Sequence, residues 1–351
     1  MKIIHGLALY GPESAGARYR LMQYIDGLHK QKIVLKIDHL LKKDFLDWRF
    51  HNKKFPFLKI LKSYLYRAIS LFFNNQYGLI IIHCELFPYM PFFIENILLK
   101  NKKYIYDMDD AFFLRYDNAP FLIRKILKNK FVKIIKNANA VTAGNSYLYS
   151  YAKNINENVY FIPTVLNHNI FLPNKKIKYL SNKITIGWIG SHSTFPYLFE
   201  IINSLSIVGR SYDIDFVIIG GYELNISNVN VINYEWEQKT EIDLINTFDI
   251  GVMPIPKNEW SKGKCGFKLL QYMSCEIPVI ATNFGANVDI VDSKVGFLVD
   301  TESDWINAFT LLIQNESLRN EMGKNGRDRI SSKFNLNSNI NTLTNVIFKH
   351  L

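Results

Sequence analysis

Chemistry concentrates first in SKGKCGFKLLQYMSCEIPVIAT, Ser261 to Thr282. Gly263, Lys264, Cys265 and Gly266 let a ligand approach the backbone closely, and Phe267 to Cys275 carries apolar residues at helical spacing without proline. A loop opening into a helix presents free N–H groups at the positive end of the helix dipole, and Lys264 and Lys268 add charge there. That combination suits a phosphate. A second stretch, GWIGSHSTFPYL, sets Gly187, Gly190, Ser191, Ser193 and Thr194 ahead of another helical pattern. Ser193 or Thr194 would serve equally as a plain N-cap, a role compatible with phosphate contact. Two anion-type loops in one domain favour a diphosphate over a single carboxylate.

Acid–base residues gather nearer the N-terminus. HCELFPYMPFFIE places His83 and Glu85 at a strand end, and IYDMDDAFFLRY places Asp107, Asp109 and Asp110 at another. Carboxylates and an imidazole at strand ends suit hydrogen bonding to sugar hydroxyls or proton transfer. His83 reads equally as a satisfied core histidine and Asp110 as an N-cap. The Asp cluster also admits a metal, but it lies inside a doubly wound pattern, and no metal is expected. After the first strand, YGPESAGARYR offers Gly11, Gly16 and Ala17 for close approach, with Arg18 and Arg20 following. An ordinary tight turn would look much the same. It matches neither the dinucleotide fingerprint nor the Walker loop, which argues against a nicotinamide cofactor or an ATPase.

These loops need elements to hold them. Twelve short apolar runs alternate with helical patterns: KIIHGLAL, KIVLKI, GLIIIH, KYIYDMD, AVTAG and VYFIP, then ITIGWIG, DFVIIG, VNVINY, FDIGVMP, IPVIAT and VGFLV. The alternation predicts two doubly wound parallel sheets, with ligands at the carboxyl ends of the strands. A chain of 351 residues fits two domains of usual size with a cleft between them. FLPNKKIKYLSNK, Phe171 to Lys183, is polar, contains a proline and reads as the linker. The expected domains are 1–172 and 173–335, followed by a helical segment, 336–351.

Composition limits the setting. Cys84, Cys265 and Cys275 form no CxxC pair, which argues against a disulfide framework or structural zinc and fits a reducing compartment. MKIIHGLALYGPE reads as a buried first strand rather than a signal peptide. No apolar run reaches the ~18 residues that span a bilayer, so a cytoplasmic location is expected. The formal net charge is +11, and basic residues cluster from Lys30 to Arg67 and from Arg124 to Lys136. In RFHNKKFPFLKILKSYLYRA the lysines interleave with Phe55, Phe57, Leu58, Ile60, Leu61, Tyr64 and Leu65, a basic amphipathic pattern suited to the anionic inner face of the membrane. A solvated helix face packed on its own domain gives the same pattern. Nucleic acid ranks lowest, because no helix-turn-helix, zinc-finger or RRM signature accompanies the charge.

Taken together, GARYR, ELFPYMPFFIE, YDMDDAFF, VTAGNSYLYSYA, VYFIPTVLN, IGWIGSHST and above all FDIGVMPIPKNEWSKGKCGFKLLQYMSCEIPVIAT resemble the large retaining family of GT-B glycosyltransferases that build bacterial surface polysaccharides. The resemblance runs through nearly the whole chain. It implies two Rossmann-like domains facing across a cleft, a nucleotide-diphosphate-sugar donor on the second and a glycan or lipid-linked acceptor on the first. A hexosyltransferase in lipopolysaccharide, O-antigen or capsule synthesis is implied, with no cofactor beyond the co-substrate.

Carried over, the resemblance places Gly190, Ser191, Lys264 and Lys268 near the donor pyrophosphate, with Ser193, Cys265 and Gly266 in the same loops. Tyr234 and Trp236 would stand by the nucleobase, and Gly16 would face the diphosphate or sugar. Arg18, His83 and Glu85 fall on the acceptor side, and the last helix would pack back on the first domain. Two departures stand out. Many members carry paired glutamates where this chain has Gly263 and Gln271. Gln271 would then bond a ribose hydroxyl, and the sugar contact would pass to Glu259 or to the backbone around Cys265. Many also carry a histidine where YDMDD stands, which assigns its sugar contact to Asp107 or Asp109. A GT-B epimerase and an inactive sugar-nucleotide-binding protein are the alternatives; the missing glutamates keep the second in view.

Overall fold

The computed structural model describes residues 1–51, 53–73, 78–174 and 183–351. Of the linker expected at Phe171–Lys183, residues 175–182 lie outside the described residues. Each of the twelve apolar runs forms a strand, and the strands make two six-stranded sheets.

The chain divides into two units. The first comprises Met1–Thr164, Gly263–Cys265 and Asn337–Leu351; the second comprises Val165–Lys262 and Gly266–Leu336. The division falls at Thr164–Val165, ahead of the expected 172/173 boundary. Residues 165–172 side with the second unit through a Leu166–Asn335 bridge and an Arg327 guanidinium on the Phe171 carbonyl.

In the first unit the strands are β1 (Lys2–Tyr10), β2 (Ile33–Leu41), β3 (Leu79–His83), β4 (Tyr104–Met108), β5 (Ala140–Ala143) and β6 (Val159–Phe161). They lie in the order β2-β1-β3-β4-β5-β6, all parallel. Parallel strands are covered on both faces, which is why Ile4, Leu7, Ala8 and Leu9 can be apolar in succession and all fully buried. The helices are α1 (Ala15–Arg20), α2 (Ile25–Lys30), α3 (Lys43–His51), α4 (Phe57–Phe73), α5 (Phe92–Leu98), α6 (Phe121–Leu127), α7 (Lys130–Asn137) and α8 (Ser146–Lys153). Strand order reverses at β1. Right-handed crossovers therefore put α1 and α2 on one face of the sheet and α4 to α8 on the other. The reversal also opens the sheet's carboxyl edge between β1 and β3, where Gly16 and His83 lie.

The second unit repeats the plan with β7 (Ile184–Ile189), β8 (Ile214–Ile219), β9 (Asn230–Tyr234), β10 (Ile250–Met253), β11 (Val279–Thr282) and β12 (Gly296–Val299). Their order is β12-β11-β10-β7-β8-β9, also parallel, with the reversal between β7 and β10. Its helices are α9 (Ile202–Gly209), α10 (Glu241–Ile245), α11 (Glu259–Lys262), α12 (Phe267–Ser274), α13 (Ala286–Ile290), α14 (Glu302–Gln314) and α15 (Glu316–Lys333). Trp188, Phe195, Leu205, Phe216, Trp305 and Phe309 join β7 and β8 to α9 and α14 in one core. Thr301 closes a capping box with Asp304 at the start of α14.

The last helix, α16 (Leu336–His350), returns to the first unit. Asn339 donates to the Tyr24 hydroxyl and to the Pro163 carbonyl, and Ile340 occupies the space a side chain at Gly27 would need.

Candidate active site

The functional candidates form one cluster in each unit. In the first, β3 ends in His83 and the chain then turns through Cys84, which has φ of 66°, a left-handed conformation that costs a non-glycine residue energy. The turn brings the Cys84 thiol to within 3.3 Å of Asp109 Oδ1, while His83 Nε2 lies 3.1 Å from Asp109 Oδ2. Burial alone would depress the His83 pKa, but the adjoining Asp109 carboxylate raises it above the ordinary value. Burial works the other way on Asp109, yet the His83 charge and hydrogen bond hold its carboxyl well below the usual range. The two form an ion pair in which His83 is buried and Asp109 half-buried. Gly16 at the start of α1 lies directly over it: a Cβ there would stand 2.7 Å from Asp109 Oδ2 and 3.0 Å from His83 Cε1.

The loop 263–265 closes this cluster. Asn145 uses its Oδ1 to cap α8 and its amide to hold the Lys264 carbonyl at 3.0 Å. The Cys265 thiol donates to the Asp109 carbonyl at 3.1 Å, and Lys264 Nζ lies 3.0 Å from Asp110. Burial pushes the Cys84 thiol well up and the Cys265 thiol up to about 12, so both act as weak donors and neither as a thiolate nucleophile. Ligand atoms of His83, Cys84 and Asp109 all lie within 4.8 Å of one another and are the group among the described residues with metal-ligand spacing.

Three residues expected to act on a substrate are instead held by the protein. Asp107 receives Arg20 through both oxygens, at 2.5 and 3.0 Å, and the Thr142 hydroxyl at 2.6 Å; Arg20 also reaches the Ile162 carbonyl. A buried carboxylate that accepts three hydrogen bonds, two of them from a guanidinium, is held as a structural anion rather than presented to a substrate. Glu85 is fully buried and accepts from Arg115, the Tyr116 hydroxyl and Lys130. Arg18 is buried too, and donates to the Pro12 carbonyl within its own loop.

In the second unit the loop after β7 and the start of α12 meet. Lys268 Nζ lies 4.1 Å from the centroid of the Trp188 ring and 3.3 Å from Thr194 Oγ1. Trp188 is fully buried, so the ammonium has an aromatic floor and a hydroxyl wall. A Cβ at Gly190 would fall 2.4 Å from that ring and 2.7 Å from Nζ, so only glycine brings the loop backbone this near to the ammonium. The Ser191 and Ser193 hydroxyls share a hydrogen bond of 2.8 Å, and Thr194 Oγ1 takes the Ser191 N–H. Between this loop and α9 the chain forms a 3-10 helix, Phe195–Glu200, before α9 begins. Gly266 heads α12 with φ of 64°.

One turn along α12 from Lys268, Gln271 is buried and donates to Glu241 Oε1 at 2.8 Å. The Trp236 indole donates to the same oxygen at 3.2 Å. Tyr234, at the end of β9, has an exposed ring. The structure thus joins Gly190, Ser191, Ser193 and Lys268 in one group and Trp236 and Gln271 in another around Glu241. Lys264, in the first unit, pairs with Asp110. Glu241 and Asn145 were not singled out from the sequence. Gln271 lies 30 positions from Glu241 and Lys264 lies 119 from Asn145, distances that no local pattern spans.

Residues 193–329 match the family described as glycosyl transferases group 1. Among curated proteins, a capsular polysaccharide biosynthesis glycosyltransferase of Staphylococcus aureus, CapM, is 28% identical over 179 residues, covering 46% of this chain and 45% of the relative. An alpha-1,3/1,6-mannosyltransferase of Dictyostelium discoideum, ALG2, is 36% identical over 83 residues, 22% of this chain and 20% of the relative. The chain therefore spans less than half the length of these curated relatives. Solved structures match nearly end to end. Anabaena HepE in complex with UDP and glucose gives a TM-score of 0.72 at 13% identity, covering 99% of this chain and 100% of that one. Sucrose-phosphate synthase of Thermosynechococcus elongatus gives 0.71 at 13% identity, covering 99% of each. The fold is GT-B.

Proposed function

We propose, from the premise that residues 193–329 are a group 1 glycosyltransferase domain within a GT-B fold, that the protein transfers a sugar from a nucleotide-diphosphate sugar to a glycan or lipid-linked acceptor with retention at the anomeric carbon. The observation that carries this reading is Lys268, held over Trp188 and against Thr194 at the mouth of a glycine-hydroxyl loop. A diphosphate there would meet the paired Ser191 and Ser193 hydroxyls, a loop backbone brought close by Gly190, and a fixed cation from Lys268. In a same-face transfer the departing pyrophosphate oxygen takes the proton of the attacking hydroxyl, so negative charge grows on the phosphate. A preplaced ammonium stabilises that charge without reorganising. Trp236 and Gln271 stand where a nucleoside would follow, and the His83–Asp109 pair meets sugar hydroxyls.

The test is donor binding followed by turnover. Calorimetry against UDP, GDP, ADP and CDP and their common sugar conjugates identifies the base, and transfer to extracted lipid-linked acceptor identifies the reaction. Lys268→Ala should lower turnover by about 10²-fold or more, the scale of losing one charge-stabilising donor. Near-wild-type turnover in that variant would sink the reading. Hydrolysis without transfer would point to an epimerase-type reaction, and binding without turnover to a non-catalytic protein.

The partner surface follows the same reading: we infer peripheral attachment to the inner face of an anionic membrane, within the synthesis of a lipopolysaccharide, O-antigen or capsule. Helix α4 exposes Leu58, Leu61, Leu65, Ile69, Phe72 and Phe73; on the same sheet face α5 exposes Phe93 and Ile97, and α6 exposes Phe121, Leu122 and Ile126. Lys54, Lys62, Arg124, Lys125 and Lys128 are exposed beside them. Apolar insertion combined with basic attraction gives such a surface two independent sources of affinity. Among the described residues no helix is long and apolar enough to cross a membrane.

A further inference from the structure

A cleft of about 420 Å³ lies at the carboxyl end of β2, between that strand and the helices α3 and α4. Leu40, Leu41, Phe45, Pro56 and Ile60 make its apolar walls, and Lys42, Lys59, Lys62 and Ser63 stand among them. Its acidic groups are already engaged. Asp38 receives Arg67 Nε at 3.2 Å, and Asp44 receives Lys59 at 2.9 Å. Lys42 and Lys62 are both exposed and have no acidic partner among the described residues, so the cleft carries two cationic groups above an apolar floor. One of its walls is α4, whose outer side exposes Leu58, Leu61 and Leu65.

Such a cleft matches a ligand that is anionic at one end and apolar at the other. We propose that it seats the phosphoryl group of an amphiphile between Lys42 and Lys62, with the amphiphile's hydrocarbon chain lying along the exposed apolar side of α4. The inference rests on the lipid-linked acceptor read above and specifies its chemistry: the acceptor carries a phosphate next to its chain. An ammonium pair is suited to phosphate as two point charges, and the apolar walls exclude a fully hydrated inorganic anion.

Flotation with two vesicle populations of equal charge tests this. One contains phosphatidylcholine with polyprenyl monophosphate, the other phosphatidylcholine with phosphatidylglycerol. The wild-type protein should bind the first about tenfold more tightly, and Lys42→Ala/Lys62→Ala should weaken binding to both populations but reduce that preference to about twofold or less. Geranyl phosphate in solution should compete, and inorganic phosphate should not. Equal binding of the two populations by wild type, or an unchanged preference in the double variant, overturns the proposal. So does equal competition by inorganic phosphate, which would make this a free-phosphate site. If the preference holds while no sugar is transferred to any lipid, the cleft assignment stands and the glycosyltransferase reading falls.

Discussion

Glu241 carries two hydrogen bonds on one oxygen. Trp236 and Gln271 both reach Oε1, and Oε2 accepts none among the described residues. The carboxylate is thus oriented by the protein and keeps one oxygen for a ligand hydroxyl, on the same side of α12 as Lys268. Glu241→Gln, nearly isosteric, should weaken nucleoside diphosphate binding about tenfold in calorimetry, with little change in melting temperature. Unchanged affinity would reduce Glu241 to a support for Gln271. At Gly16 the geometry is stricter. A methyl group there meets Asp109 at 2.7 Å and must displace the His83–Asp109 pair, so Gly16→Ala should cost about 1–3 kcal/mol in stability and lower turnover at least tenfold. Full activity in that variant would show that the pair's position does not matter. The loop-to-helix runs that hold Gly16, Gly190 and Lys268 were visible in the sequence, but their meeting with Asp109, Trp188 and Thr194 was not. Asp107 and Glu85 show why: strand-end carboxylates look alike until their partners are known. Arg20 lies 87 positions from Asp107, and Lys130 lies 45 from Glu85.

Those partners define the elements. Lys130, at the start of α7, lies 2.8 Å from Glu85 and 2.9 Å from Glu95, and all three side chains are fully buried. They tie the turn after β3 to α5 and α7. Lys130→Met strands Glu95 and leaves Glu85 to Arg115 and Tyr116 alone, which should cost about 3–5 kcal/mol in a denaturant titration. A loss below about 1 kcal/mol would mean that water reaches the triad. The twelve strands were legible because a strand covered on both faces must be apolar throughout, and each such run ended at glycine, proline or a polar residue. Helix α4 was legible as amphipathic, but its fate was not. Its spacing is the same whether the apolar stripe faces a core or solvent, and only the fold shows Leu58, Leu61 and Leu65 turned outward.

For the whole molecule, one buried carboxyl sets a pH dependence. Burial, offset in part by Lys130, pushes Glu95 from its usual 4.5 up to about 7. The folded protein therefore holds a proton that the unfolded chain releases, and the associated stability is complete below pH 4.5 and lost as pH rises through 7. The raised His83 contributes in the same direction. Stability should fall by a few kcal/mol between pH 5 and pH 8 through Glu95, and Glu95→Gln should flatten that slope. An unaltered slope in the variant would assign it to another group.

The first unit is assembled from three separate pieces of chain, the last of which is Asn337–Leu351. Its sheet is encoded by Thr164, yet the helix that covers Tyr24 and Gly27 is encoded roughly 170 residues later. At about 5–20 residues per second the ribosome takes on the order of 10–30 s to cover that interval. Throughout it the apolar side of α2 waits for α16 while the second unit, nearly continuous in sequence, is completed first. The order of synthesis and the order of maturation are thus reversed, and the nascent N-terminal half is the stage at which a chaperone has the most surface to protect.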